Sequence, residues 1–276
     1  VEVIILPSAG EVAQLAARII AGLVRRKPAA VLGLATGATP RPVYAELVRR
    51  HREEGLSFAG VTTFNLDEFV GLAPDHRASY HHYMFEALFA HVDLPVAARH
   101  LPDGMAPPDE IPAACDRYEA AIRAAGGIDL QVLGLGADGH IGFNEPSSSL
   151  ASRTRVKTLT EATRAAQRTA APGPAGAGPG GDGGAGTREL PRHVITMGVA
   201  TILEARRCLL LATGARKAGA VARTVEGPVA AMVPASALQL HPRATVIVDE
   251  AAAADLTLAE YYRGVYRDKP AWQREG

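Results

Sequence analysis

A chain of 276 residues, 47% of them hydrophobic, is long enough for one large α/β domain or two small ones and has material for a sizeable core. Its 29 basic residues balance 29 acidic ones, which argues against a nucleic-acid or membrane-surface protein, since both draw affinity from a basic excess. No apolar run reaches the roughly 18 residues of a bilayer span. The two cysteines, Cys115 and Cys208, lie far apart in no metal-ligand spacing, which points to a reducing compartment such as the cytoplasm.

Val1–Leu6 is a short apolar run followed by turn residues, a first strand and not a secretory core. From there apolar runs alternate with segments of helical period. Strands are predicted at Glu2–Leu6, Ala29–Leu34, Val61–Leu66, Ile128–Leu135, Cys208–Ala212 and Thr245–Val248. Helices are predicted at Ala9–Arg26, Arg41–Glu53, Ser79–Ala90, Glu110–Ala124, Gly214–Val225 and Leu256–Tyr266. Strands this apolar belong to a sheet buried on both faces, so the expected architecture is a single α/β domain, Rossmann-like, with a mostly parallel sheet between two layers of helices. Ala170–Gly186 breaks the pattern. It is almost entirely Ala, Gly and Pro and has too little side chain to offset its ordering entropy. It is expected to be mobile, either as a neutral surface insertion or as part of a lid over about residues 155–190.

Ligands of a parallel sheet bind beyond the carboxyl ends of its strands, so residues just after predicted strands are the candidates. The first such junction is Leu34-Ala35-Thr36-Gly37-Ala38-Thr39-Pro40. Thr39 is placed as helix N-cap and Pro40 at the first helical position, which leaves backbone N–H groups of Gly37, Ala38 and Thr39 for a phosphate. No Gly-Lys-Ser/Thr follows, so it is not a Walker loop. The second, Phe64-Asn65-Leu66-Asp67-Glu68-Phe69-Val70-Gly71-Leu72, puts two acids at the end of an apolar strand. Either Asp67 caps a helix and Glu68 is solvated, or one of them is a general base.

The third junction, Gly134-Leu135-Gly136-Ala137-Asp138-Gly139-His140-Ile141-Gly142-Phe143-Asn144-Glu145-Pro146, begins with a literal Gly-x-Gly-x-x-Gly. A dinucleotide site is rejected, because Pro146 and a serine run preclude the long helix that such a site needs, and Asp138 would face the pyrophosphate. Asp138, His140 and Glu145 suit an imidazole held by carboxylates for proton transfer. One His with two acids falls short of a metal-ligand set. A fourth junction, Thr213-Gly214-Ala215-Arg216-Lys217, sets two cations at a helix start, where they either point into water or meet an anion. His81 and His82, adjacent on a helix, are assigned no function.

Together these segments resemble the glucosamine-6-phosphate deaminase family. The likeness runs from Ile5 to about Tyr262 and is carried by Phe64–Leu72, Asp138–Pro146, Ser148–Thr160 and Leu238-Gln239-Leu240-His241-Pro242. It implies that Asp67 moves a proton from C2 to C1 of the open-chain sugar and that His140, oriented by Asp138 and Glu145, opens the ring. It implies a phosphate site of Gly37, Ala38, Thr39 and Lys217 with a lid arginine, for which Arg168 is the candidate after a one-residue gap. Ser148, Ser149, Arg155, Lys157 and Tyr261 match a site for the activator N-acetylglucosamine 6-phosphate between subunits of a homo-oligomer, a hexamer where regulation is present; otherwise Arg155 and Lys157 decorate a surface strand. The implied reaction turns glucosamine 6-phosphate into fructose 6-phosphate and ammonia with no metal or other cofactor. A 6-phosphogluconolactonase and a non-catalytic sugar-phosphate sensor are the rivals. The lactonase would need neither Asp67 in its setting nor the Ile-Gly-Phe-Asn-Glu-Pro run, and a sensor could dispense with all four acid–base groups.

Overall fold

The computed structural model describes residues 1–161, 163–165, 190–270 and 273. Ten strands are described: β1 (Glu2–Leu6), β2 (Val31–Leu34), β3 (Thr62–Asn65), β4 (Asp67–Phe69), β5 (Arg99–His100), β6 (Leu130–Gly134), β7 (Arg155–Thr158), β8 (His193–Thr196), β9 (Cys208–Ala212) and β10 (Ala244–Asp249). Seven form one sheet in the order β1-β10-β9-β6-β2-β3-β5, and every pairing in it is parallel.

Successive side chains of a strand point to opposite faces, and the residues sort accordingly. On β9, Cys208, Leu210 and Ala212 enter one core while Leu209 and Leu211 enter the other. The first core is covered by α4 (Ile111–Ala124), α5 (Val199–Leu203) and α6 (Ala218–Val225), through residues such as Tyr118, Ile202 and Val221. The second is covered by α1 (Ala9–Arg26), α2 (Arg41–Glu54) and α3 (Tyr80–Met84), with Ile20, Tyr44 and Met84 buried there. A last helix, α7 (Ala259–Arg267), lies along the β1 edge, with Tyr262 against one core and Tyr266 against the other. The expected doubly covered parallel sheet is present.

Local chemistry sets the element ends. Ser8 caps α1, its hydroxyl accepting from the Glu11 N–H and donating to the Glu11 carboxylate, a reciprocal capping arrangement. Gly55 ends α2 in the left-handed region. Most predicted boundaries move by one to three residues, and three change in kind. Helix α2 begins at Arg41, with Pro40 at the cap, Pro42 in the first turn and no side-chain cap bond, so Thr39 is not the N-cap and Pro40 is not the first helical residue. The 79–90 helix is a short α-helix continued by a π-turn, Phe85–Phe89. Gly214, with φ of 87°, cannot begin a helix, so a 3₁₀ turn, Ala215–Lys217, precedes α6.

Four strands escaped the sequence reading: β5, two residues at the sheet edge, and β4, β8 and β7, which make a separate antiparallel sheet in that order. In the main sheet the chain steps from β2 outward to β3 and β5, then returns to the other side of β2 as β6. That reversal opens a crevice at the carboxyl ends of β2 and β6, the usual ligand position in such sheets. Ala170–Gly186, expected to be mobile, lies outside the described residues.

Candidate active site

The loop after β2 is tied down by its carbonyls. Tyr44 of α2 donates to the Ala35 carbonyl at 2.5 Å and Tyr83 of α3 to the Gly37 carbonyl at 2.6 Å. Among the described residues no acceptor meets the N–H groups of Gly37, Ala38 and Thr39. This is the arrangement an anion needs, although Thr39 does not cap the helix.

Neither acid after β3 has the role that the capping alternative gave it. Glu68 is 1% exposed and is saturated: it accepts from the N–H groups of Phe69, Tyr80 and His81, from the Ser79 hydroxyl, and sits 2.9 Å from His81 Nδ1. It is the buried anchor of the α3 start and is not solvated. Asp67 is 5% exposed and accepts no hydrogen bond among the described residues. Burial, reinforced by the neighbouring Glu68 charge, pushes its carboxyl well above the usual carboxylate range. Asp67 lies directly opposite Thr196 of β8. Both reach toward Gly142, where an added Cβ would lie 2.9 Å from Thr196 Oγ1 and 3.5 Å from Asp67 Oδ2. Thr196 also accepts from the Phe143 N–H. No sequence signal marked it, because the contact is made across strands 129 positions apart in number.

The loop after β6 carries no helix, consistent with rejection of a dinucleotide site. It closes on itself, with Gly136 N–H bonded to the His140 carbonyl at 2.9 Å. The imidazole lies on the bare face of Gly136, where a Cβ would come 2.2 Å from Nδ1. Asp138 Oδ1 is 2.7 Å from that nitrogen and also accepts the His140 N–H at 3.2 Å. The side-chain approach is off the axis of a hydrogen bond, leaving Nδ1 an ion-pair neighbour of the carboxylate with no aligned acceptor. Partial burial would raise the Asp138 carboxyl, but the His140 side chain outweighs it and holds the group at about 2.

Glu145 departs from its expected place. It makes no hydrogen bond or ion pair with His140; its Oε1 accepts from the hydroxyls of Thr163 and, at 3.4 Å, Thr160. Asn144 donates to the carbonyls of Ile141 and Met197, stitching this loop to the end of β8. Lys217 stands in the turn after β9, which Asp249 secures by accepting the Gly214 N–H. Burial and the adjacent Arg216 lower the Lys217 ammonium, and Asp138 is near enough to oppose that. So Lys217 shares the crevice with the His140 loop. Arg168 lies outside the described residues. Among the described residues no three His, Cys, Asp or Glu side chains gather as a metal site would require.

The five remaining candidates divide. Ser148 is buried with its hydroxyl unpartnered, beside Ser149. Arg155 and Lys157 lie on β7, and Arg155 donates to Asn144 Oδ1 at 2.8 Å. Tyr261 is 63% exposed on α7 and lines a different cavity, of about 990 Å³, with Glu2, Arg207 and Arg243 at the amino ends of their strands. It does not join the others within one chain.

A family profile described as glucosamine-6-phosphate isomerases/6-phosphogluconolactonase matches residues 8–169. A glucosamine-6-phosphate deaminase of Arthrobacter sp. (strain FB24) is 53% identical over 272 residues, covering 99% of each chain. The chain belongs to the glucosamine-6-phosphate isomerase/6-phosphogluconolactonase family. Within that family it is also 44% identical to a solved structure described as a monomeric glucosamine-6-phosphate deaminase, covering 92% of this chain and 100% of that one with a TM-score of 0.83. A 6-phosphogluconolactonase from Trypanosoma cruzi superposes with a TM-score of 0.69 over 93% of this chain and 97% of its own, at 20% identity, a likeness of fold alone.

Proposed function

We propose that the chain converts glucosamine 6-phosphate and water into fructose 6-phosphate and ammonia. The observation that carries this is Asp67, a buried carboxylate that accepts no hydrogen bond among the described residues and lies between the loop after β2 and the His140 loop. A base meant for a C–H proton gains from such a setting, since a poorly solvated carboxylate with a raised pKa binds that proton more readily. High identity to glucosamine-6-phosphate deaminases over nearly the whole chain supports the same reading.

In this reading the N–H groups of Gly37, Ala38 and Thr39, with Lys217 and Arg168, hold the 6-phosphate, so that the groups across the crevice meet defined sugar atoms. His140, paired with Asp138, opens the ring by proton transfer, and Glu145 assists from its threonine anchors. Asp67 takes the C2 proton to give an enolamine and returns it at C1 to give an imine. Water adds to the imine and ammonia leaves. Every step is a proton transfer or the addition of water, so neither metal nor organic cofactor enters.

The reading extends to regulation. Ser148, Ser149, Arg155 and Lys157, with Tyr261 of an adjacent copy, take N-acetylglucosamine 6-phosphate in a homo-oligomer, a hexamer, in the cytoplasm. Its support is the buried Ser148 hydroxyl, which has no hydrogen-bond partner among the described residues, and the half-buried Arg155 on β7.

The deciding assay follows ammonia and fructose 6-phosphate from glucosamine 6-phosphate, with 6-phosphogluconolactone hydrolysis in parallel. Equimolar ammonia and ketose are expected. Lactone hydrolysis alone would replace the chemistry while keeping the fold. Adding N-acetylglucosamine 6-phosphate is expected to convert sigmoidal kinetics to hyperbolic; hyperbolic kinetics indifferent to it, from a protein that sediments as a monomer, would remove the regulatory part.

A further inference from the structure

Glu145 is buried, yet its two carboxylate oxygens are placed in unequal surroundings. Oε1 accepts from the Thr163 hydroxyl and, at 3.4 Å, from the Thr160 hydroxyl, while Oε2 accepts no hydrogen bond among the described residues. A buried carboxylate kept for structure is bonded at both oxygens, as Glu68 and Glu119 are. Glu145 is anchored at one and open at the other.

The anchor has a direction. A hydroxyl has one proton to give and can accept two. The Thr163 N–H donates to Thr160 Oγ1 at 3.2 Å, and the Thr160 hydroxyl has Thr163 Oγ1 as its nearest acceptor, at 3.0 Å. The Thr163 proton goes on to Glu145, so the run of donors ends on Oε1. For Oε1 to hold a proton itself, both hydroxyls would have to turn round, which leaves Thr160 without an acceptor among the described residues.

The two threonines are themselves fixed. Thr160 begins a helical turn, its carbonyl accepting the Arg164 N–H at 3.0 Å. Arg164 is buried and donates through Nε and Nη2 to the Leu190 carbonyl at 3.1 and 2.7 Å, which fastens the turn to the chain entering β8. On the other side of Glu145, Asn144 donates to the Met197 carbonyl just beyond β8. The strand between these two attachments carries Thr196, opposite Asp67.

We propose that Thr163, backed by Thr160, is a positioning residue that holds Glu145 by Oε1, so that Oε2 is the oxygen that carries and transfers its proton. This rests on the acid–base role given to Glu145 in the deaminase reading and names the atom that performs it. Giving the proton breaks the Oε2–H bond and leaves its electron pair on the carboxylate; taking one reverses this, with the bonds to Oε1 kept throughout.

Thr163→Val keeps the shape and removes the donor, Thr163→Ser keeps the donor, and Glu145→Gln removes the proton carrier. With glucosamine 6-phosphate, Thr163→Val is expected to lower kcat about tenfold or more with KM within about twofold of the parent, and Thr163→Ser to recover most of the loss. In a Glu145→Gln background, Thr163→Val should cost less than about twofold further, since no proton remains to be aimed. A structural role would instead cost the same factor in both backgrounds. That result, or a kcat of Thr163→Val equal to the parent's, overturns the inference. Crystal structures of the variants give a readout independent of the reaction: the Glu145 carboxylate should leave its place in Thr163→Val and return to it in Thr163→Ser. A parent that releases no ammonia would overturn the deaminase reading and leave the anchor to be judged by those structures. A carboxylate unmoved in Thr163→Val overturns the inference whatever the parent turns over.

Discussion

Asp67 answers two opposed demands, since burial makes it a stronger base yet keeps it protonated to higher pH. In the proposed mechanism it takes the C2 proton and must be ionised to do so, so activity is expected to fall as pH is lowered through its raised pKa. The acid limb of kcat/KM should thus lie well above the ordinary carboxylate range of about 4. Asp67→Asn keeps the shape and loses the base; kcat is expected to fall at least about 10³-fold while glucosamine 6-phosphate still binds. Turnover comparable to the parent would remove Asp67 from the mechanism. Gly142 is the neighbouring constraint. With φ of 56° and Thr196 Oγ1 2.9 Å from any added Cβ, Gly142→Ala must shift either the loop or the carboxylate. A loss of about 10² in kcat/KM is expected from such a displacement, with circular dichroism unchanged.

At the scale of elements, the site is a set of loop ends fastened by side chains from elsewhere. Glu68 joins the end of β4 to the start of α3 through five donors. Glu68→Gln would replace one acceptor oxygen by an NH₂ facing those donors. A loss of about 2–3 kcal/mol is expected, read as a lowered urea midpoint at unchanged m value; an unaltered midpoint would mean that the donors find other partners. Glu119 acts alike on the other face. It accepts from Thr154, Thr201 and Arg153 and so ties α4 to the β7 segment and to α5. Burial alone would raise its carboxyl, but these bonds hold it below the usual value.

For the whole molecule the consequence of Asp67 is a stability cost that grows with pH. Its native carboxyl holds a proton more tightly than the same group in the unfolded chain. Stability is therefore undiminished below the unfolded pKa of about 3.9 and is lost as pH rises through the raised native value. Asp67→Asn escapes this cost, so its Tm should exceed that of the parent by a margin that widens as pH rises from about 4 to the raised native value. Groups held low by their partners, such as Asp138 and Glu119, act with the opposite sign and are common to both proteins. The difference in Tm between the two therefore isolates Asp67, and a margin independent of pH would contradict its burial in ionised form.

Much of this was legible without coordinates. Apolar runs such as Cys208–Ala212 form strands whatever surrounds them, and the eighteen residues of α1 have both their period and their serine cap in the sequence. Strand ends are local features too, so Asp67, Asp138, His140 and Lys217 were placed on the right junctions. Tertiary structure alone told the two acids apart. Asp67 and Glu68 are adjacent and chemically alike; the one folded back onto the start of α3 is saturated, and the other accepts no hydrogen bond among the described residues. It also separated Glu145 from His140, since a glycine-rich loop does not fix the distance between residues five apart. The small sheet of β4, β8 and β7 and the tyrosine grip on the loop after β2 depend on partners remote in sequence. Period and composition carry information about a residue's own neighbourhood, whereas a site is made where distant neighbourhoods meet.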